Sequence, residues 1–227
     1  MYRPPEFSPA PMLPAPSTAD RACARGTREH CTGHLVCGPR AGRVLQTENH
    51  LEMQVALVLL ARPGTEMLEE QVAFCWIDET GCRHTHYFDF RFTSADGDVA
   101  AISVKPAKDL HKNGFFDEMS RIAAQVTPDF ADVVRVMTER DLDRVELHNA
   151  ELFHGMRHPD PEADEAAAAV IAPLLGAVSL AELTSRIGLG PRGLRALIRR
   201  IAAGELRCLA RERITPQTRV RRTGALQ

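Results

Sequence analysis

Long hydrophobic runs are scarce in these 227 residues. The longest stretch free of charge and strong polarity, Ala166 to Val178, is too short to span a bilayer and is interrupted by Pro173. The N-terminal MYRPPEFSPAPMLPAP lacks an apolar h-region, so no secretory signal is expected there and the protein reads as cytoplasmic. Six cysteines at irregular spacings read as reduced thiols, which excludes a disulfide framework. Lysine is missing from Arg186 to Gln227, where eleven arginines face only Glu205 and Glu212, a local balance of +9. The formal net charge of −2 therefore hides a remainder carrying −11. A basic block on an acidic protein is an electrostatic footprint for phosphate, and double-stranded DNA is the expected partner. What remains is ordinary: 44% hydrophobic and 26% charged residues, with room for one sizeable core and a smaller one.

Four segments follow. Residues 1–43 are rich in Pro, Ala, Gly and Arg without apolar periodicity and read as a disordered tail. Within it Cys31, His34 and Cys37 form a C-x-x-H-x-x-C whose spacing is irregular for zinc, and it reads as an accident of composition. Residues 44–156 carry a helix over 48–61 with Thr47 as N-cap, then strands over 71–77, 83–92 and 99–105. Asp96-Gly97 marks the last hairpin, and helix (108–126), strand (132–137) and helix (139–155) complete an α/β layer architecture. An acidic linker, 157–162, leads to residues 163–222: helices over 163–175, 179–187 and 191–203, then short strands over 206–210 and 217–222. Two helices across a short turn, the second rich in arginine and followed by a hairpin, match the winged helix-turn-helix plan.

The chemistry concentrates in HYFDFRF…DGDVAAISVKPA. Alternation places His84, His86, Phe88, Phe90 and Phe92 on one strand face and Asp89 on the other; Ser103 and Lys105 share a face of the next strand. In the register the turn suggests, Asp89, Ser103 and Lys105 converge at one end of the sheet. A carboxylate there can hold Mg²⁺ and a lysine can activate water, which is what phosphodiester hydrolysis requires. An exposed hairpin carrying Asp and Lys for solubility would look the same. His84 and His86 read as packed histidines, and Cys75 and Cys82 as structural thiols.

The run Leu51-Glu52, Glu70-Gln71, Tyr87-Phe88-Asp89-Phe90, Val104-Lys105-Pro106 and Asn149-Ala150 resembles the TnsA-like transposon-end endonucleases of the PD-(D/E)XK, restriction-endonuclease-like superfamily, over about residues 47–155. The resemblance implies a restriction-endonuclease-like mixed sheet flanked by helices. It also implies a catalytic set of Glu52, Asp89 and Lys105, with Gln71 and Ser103 beside it and Glu52 and Asp89 as ligands of Mg²⁺ or Mn²⁺. Glu48, one turn earlier, competes for the glutamate role. The departure is Ser103, where the superfamily has an acid or amide; a serine hydroxyl is a poorer Mg²⁺ ligand. The C-terminal part is similar to that family's winged-helix-like extension, with Arg192, Arg195, Arg199, Arg200, Arg219, Arg221 and Arg222 as DNA-binding candidates and Arg207 also near the wing. The implied partners are a transposase and a regulatory ATPase. Two rival readings stand beside the transposon-end nuclease: a catalytically retired DNA-binding regulator, which Ser103 favours, and a defence or repair nuclease of the same fold.

Overall fold

The computed structural model describes residues 12–23, 32–38 and 41–224. Its spine is a pair of long strands, β3 (Thr65–Ile77) and β4 (Arg83–Ser94). The Asp78 carboxylate fixes their turn by accepting from the backbone N–H of Thr80 (2.8 Å) and of Cys82 (2.9 Å), and Gly81 takes the positive φ of 84°. β5 (Val99–Val104) returns antiparallel to β4, and β6 (Val133–Met137) lies parallel to β5, so the mixed sheet runs β3-β4-β5-β6.

Helices cover both faces. On one side α1 (His50–Ala61) and α3 (Arg144–Gly155) bury Val55, Val58 and Ala150 against Leu68, Phe90, Ile102 and Val104. On the other, α2 (Phe115–Ala123) buries Met119 and Ile122 against Trp76, Phe88 and Ala101. Phe88 and Phe90, expected on one face, thus lie on opposite faces. The pleat inverts between them: Glu70 pairs with Phe90 and Val72 with Phe88, and Gln71 between them adopts φ 51°. One left-handed residue with the pairing in step on either side of it turns the strand over, which uniform alternation does not anticipate.

Two further corrections concern the N-terminal part. Residues 33–37, expected in the tail, form β1 (Gly33–Cys37), which pairs antiparallel with β2 (Arg43–Thr47) at the expected tail boundary; Leu35 and Leu45 enter the α1-side core. The helix cap is Asn49, not Thr47: the Asn49 side chain accepts from the Glu52 N–H at 3.0 Å. Thr47 is instead wholly buried, and its hydroxyl has no hydrogen-bond partner. An unpaired buried hydroxyl costs stability that a methyl of similar shape does not. Thr47→Val should therefore raise stability by about 1 kcal/mol, seen as a later midpoint in urea unfolding. Of the C-x-x-H-x-x-C, Cys31 falls outside the described residues. His34 and Cys37 have opposite parity on β1, and the Cys37 thiol is taken by the Arg43 carbonyl at 3.6 Å.

The remaining helices, α4 (Pro161–Ile171), α5 (Leu180–Ile187) and α6 (Pro191–Ala202), enclose a second core with Ile171, Leu183, Leu197 and Val220. Helix α4 begins inside the expected linker, with Asp160 capping it and Pro161 in its first turn. A small sheet, β7 (Val178–Ser179), β9 (Arg219–Arg222) and β8 (Leu206–Cys208), closes this core in the order β7-β9-β8. Among the described residues there are six α-helices, and none is long and apolar enough to cross a membrane.

Candidate active site

Glu52 sits at the third position of α1 and is only 3% exposed. Its carboxylate reaches back over the helix start, accepting from the Glu48 N–H at 2.6 Å and from the Asn49 amide. Asn49 thus caps the helix, and Glu52 folds back onto the residues that precede it. Asp89 faces the same corner from β4, at the pleat inversion. One of its oxygens accepts from the Val104 N–H at 2.6 Å and the other from the Gln71 amide at 3.3 Å. The bond to Val104 lies just past Phe90–Ile102, the last β4–β5 pair, where β5 leaves β4 for β6. The carboxylate fills the gap that opens between the strands.

Burial, with the charge of Asp89 next, pushes the Glu52 carboxyl up to about 8. Burial raises Asp89 to about 6, against the lowering effect of its bonds from Val104 and Gln71. Two acids whose charges act on one another favour a shared proton or a nearby cation. Gln71 adds a second sign of strain, since a non-glycine residue at φ 51° costs on the order of 1–3 kcal/mol and such residues gather at functional sites.

No known protein family matches this chain, and no curated protein is detectably similar to it in sequence.

The remaining sequence candidates distribute unevenly. Gln71 joins Asp89, as described. Glu48 approaches from the exposed side and pairs with Arg21 at 3.1 Å. Ser103 lies apart: its hydroxyl meets His86 Nε2 at 3.1 Å, and His86 stacks edge-on against Phe88 on the α2 side. Uniform strand parity puts Ser103 with Asp89, but Asp89 sits at the inversion and bonds Gln71 and Val104, whereas Ser103 meets His86 on the α2 side. Lys105 likewise turns to α2, its Nζ 5.2 Å from the centre of the Phe115 ring. Ser103→Glu would therefore bury a charge beside a histidine that burial already keeps neutral, with Glu118 close by. The expected outcome is a melting temperature several degrees lower and no gain in Mg²⁺ affinity, checked by thermal melts and calorimetry.

The arginines of the C-terminal core also divide. Arg192 is held by Asp160 and Glu162, each at 2.7 Å. Arg199 is held by Asp164 at 2.6 Å and Arg200 by Glu205 at 2.8 Å. Arg219 and Arg222 donate to the carbonyls of Ala177 and Ala172. Arg195, Arg207 and Arg221 are exposed. Arg207 and Arg221 face each other directly across β8–β9. Like charges placed directly across a strand pair repel unless an anion lies over them. Sequence puts both arginines near the wing, but their opposition is visible only once the β8–β9 register is known.

Arg21 joins the site with no forewarning in the sequence. From the N-terminal segment it donates through Nε to the Gln71 side-chain oxygen at 2.6 Å, and its guanidinium lies 4.8 Å over the Tyr87 ring. A lone arginine in a Pro/Ala-rich stretch carries no local signal of this.

Whether a metal suits the site depends on its donors. Among the described residues no group of three or more His, Cys, Asp or Glu side chains could hold a metal ion. A buried and a half-buried carboxylate, both with raised proton affinity, are nevertheless suitable donors for a hard cation that keeps several of its waters.

Proposed function

We propose that the chain is a Mg²⁺- or Mn²⁺-dependent DNA endonuclease of the restriction-endonuclease-like fold, with a winged-helix-like C-terminal unit that holds duplex DNA. The observation that carries this reading is the pairing of buried Glu52 with half-buried Asp89, the latter set where β5 parts from β4 and bonded to the strained Gln71. Glu52 and Asp89 would hold the cation, which supplies charge neutralisation on the phosphoryl oxygens when bound. The capping bonds from Glu48 and Asn49 fix the Glu52 rotamer, and the Val104 N–H fixes that of Asp89, so both carboxylates are oriented before substrate arrives. Lys105 serves as the water-activating group by swinging its flexible stem away from Phe115. The exposed arginines of α6 and of the β8–β9 hairpin supply phosphate contacts. By resemblance, the cleaved bonds lie at transposon ends and the partners are a transposase and a regulatory ATPase.

The second reading, a DNA-binding regulator without cleavage, is favoured by Ser103 and Lys105 standing on the α2 side. Relaxation of a supercoiled plasmid separates the two. Nicking that needs Mg²⁺ or Mn²⁺ and stops with chelator supports the nuclease; tight duplex binding without nicking supports the regulator.

A further inference from the structure

The acidic site already has a cation near it, Arg21, carried on residues 12–23. Residues 12–23 run along the outside of the fold. Ala15 hydrogen-bonds with Gly42 and Val44, both at 2.9 Å, and the Ser17 hydroxyl donates to Glu70 at 2.6 Å. Asp20 clamps the far end, its carboxylate accepting from the Ala73 N–H at 2.8 Å while its own N–H reaches the Gln71 carbonyl at 3.2 Å. Few of these contacts are apolar: Met12 and Leu13 are 71% and 82% exposed. A segment held by a handful of polar bonds opens at low free-energy cost.

What this strap delivers is Arg21. Its guanidinium is fixed on three sides, by Gln71, Glu48 and the Tyr87 ring, and its charge acts on both Glu52 and Asp89. Cys23, two residues on, stands in the same acidic field, where burial and then Glu48 and Glu52 keep its thiol protonated. The strap therefore offers a single positive charge at a site whose two acids repel each other. A divalent cation seated between Glu52 and Asp89 would neutralise them more fully and would repel the guanidinium at short range.

We propose that Arg21 is the resident counter-charge of the Glu52–Asp89 site, and that a divalent cation and the strap compete for it. Cation binding loosens residues 12–23, and loss of Arg21 tightens cation binding. The proposal rests on Glu52 and Asp89 forming a cation site, but it does not require cleavage.

The test uses the full chain and Mn²⁺ alone. Calorimetric titration should give Arg21→Gln at least about fivefold tighter Mn²⁺ binding than the parent. Arg21→Lys keeps the charge and should stay within about twofold. In the unaltered protein, hydrogen exchange at the amides of Ala15 and Asp20 should speed up when Mn²⁺ is added. Equal or weaker Mn²⁺ binding by Arg21→Gln, or a strap whose exchange ignores the metal, would overturn the proposal, and so would failure of every protein to bind Mn²⁺. Plasmid nicking, measured on the same samples, keeps the two claims separate. A parent that binds Mn²⁺ in competition with Arg21 yet never nicks upholds the strap and sinks the nuclease. A parent that nicks while Arg21→Gln binds Mn²⁺ no better does the reverse.

Discussion

Asp89→Asn should lower metal-dependent nicking at least about a hundredfold while making the metal-free protein more stable above neutral pH. Both effects follow from one arrangement. Asparagine keeps the shape that fills the gap beside Val104 and still accepts its N–H, but brings no charge to the cation or to Glu52. The sign of the stability effect comes from the direction of the shifts. Glu52 and Asp89 are raised to about 8 and about 6, so the native state holds their protons more tightly than the unfolded chain. Their contribution is complete below the ordinary carboxylate range and is lost as pH climbs through 6 to 8, a total on the order of a few kcal/mol. The parent without metal should therefore melt at progressively lower temperature between pH 5 and pH 9, beyond what surface groups produce. Asp89→Asn and Glu52→Gln should each flatten that slope. Mg²⁺ should restore the parent at pH 8, because it binds the folded state alone. Melts in a pH series, with and without Mg²⁺, check the stability half, and plasmid nicking checks the catalytic half. A slope that survives both substitutions would show that the pair is not what the protein stabilises by protonation.

Several elements were legible because local rules and tertiary demands agreed. Helix α1 follows its apolar spacing, the β4–β5 hairpin follows Asp96-Gly97, and the three C-terminal helices follow their caps and glycines. The β1–β2 pair is hard to read because Gly38, Pro39, Arg40 and Gly42 dominate the composition between its strands; the usable signal is Leu35-Val36 and Val44-Leu45 on either side of that stretch. Asn49 was also readable as a favoured N-cap residue and would have displaced Thr47 as the cap. The inversion at Gln71 and Asp89 was not readable, since nothing local distinguishes a strand that flips its pleat from one that does not. It decides the candidate site: it sets Asp89 against Gln71 and the Val104 N–H and leaves Ser103 and Lys105 on the α2 side. Eleven arginines are visible in the sequence but their partners are not, because most of the partners lie about 30 or more residues away, as with Arg192 and Asp160 or Arg199 and Asp164.

That partnering separates arginines that hold the fold from arginines that can hold DNA, and substitutions should divide along the same line. Arg207→Ala with Arg221→Ala removes two exposed charges opposed across β8–β9. Each arginine–phosphate pairing removed should reduce the slope of log affinity against log salt by about 0.9, so the double variant should show a slope smaller by close to two units. Its duplex affinity at low salt should fall at least about tenfold. Its stability should hold or rise, because relieving a like-charge cross-strand pair is favourable. Arg199→Ala is the opposite case. Arg199 lies against α4, bonded to Asp164 and to the Met156 carbonyl, and is only 15% exposed at its side chain. Removing it leaves Asp164 without that partner at the junction of α4 and α6, with an expected cost of about 1–3 kcal/mol. The salt slope should be unchanged wherever the variant remains folded. Fluorescence anisotropy with a labelled duplex across a salt series, beside urea unfolding of each variant, reads both quantities. If Arg199→Ala flattens the salt slope while the hairpin pair leaves it intact, DNA lies across α4 and α6 and not on the β8–β9 hairpin, and the winged-helix-like docking proposed for this unit fails.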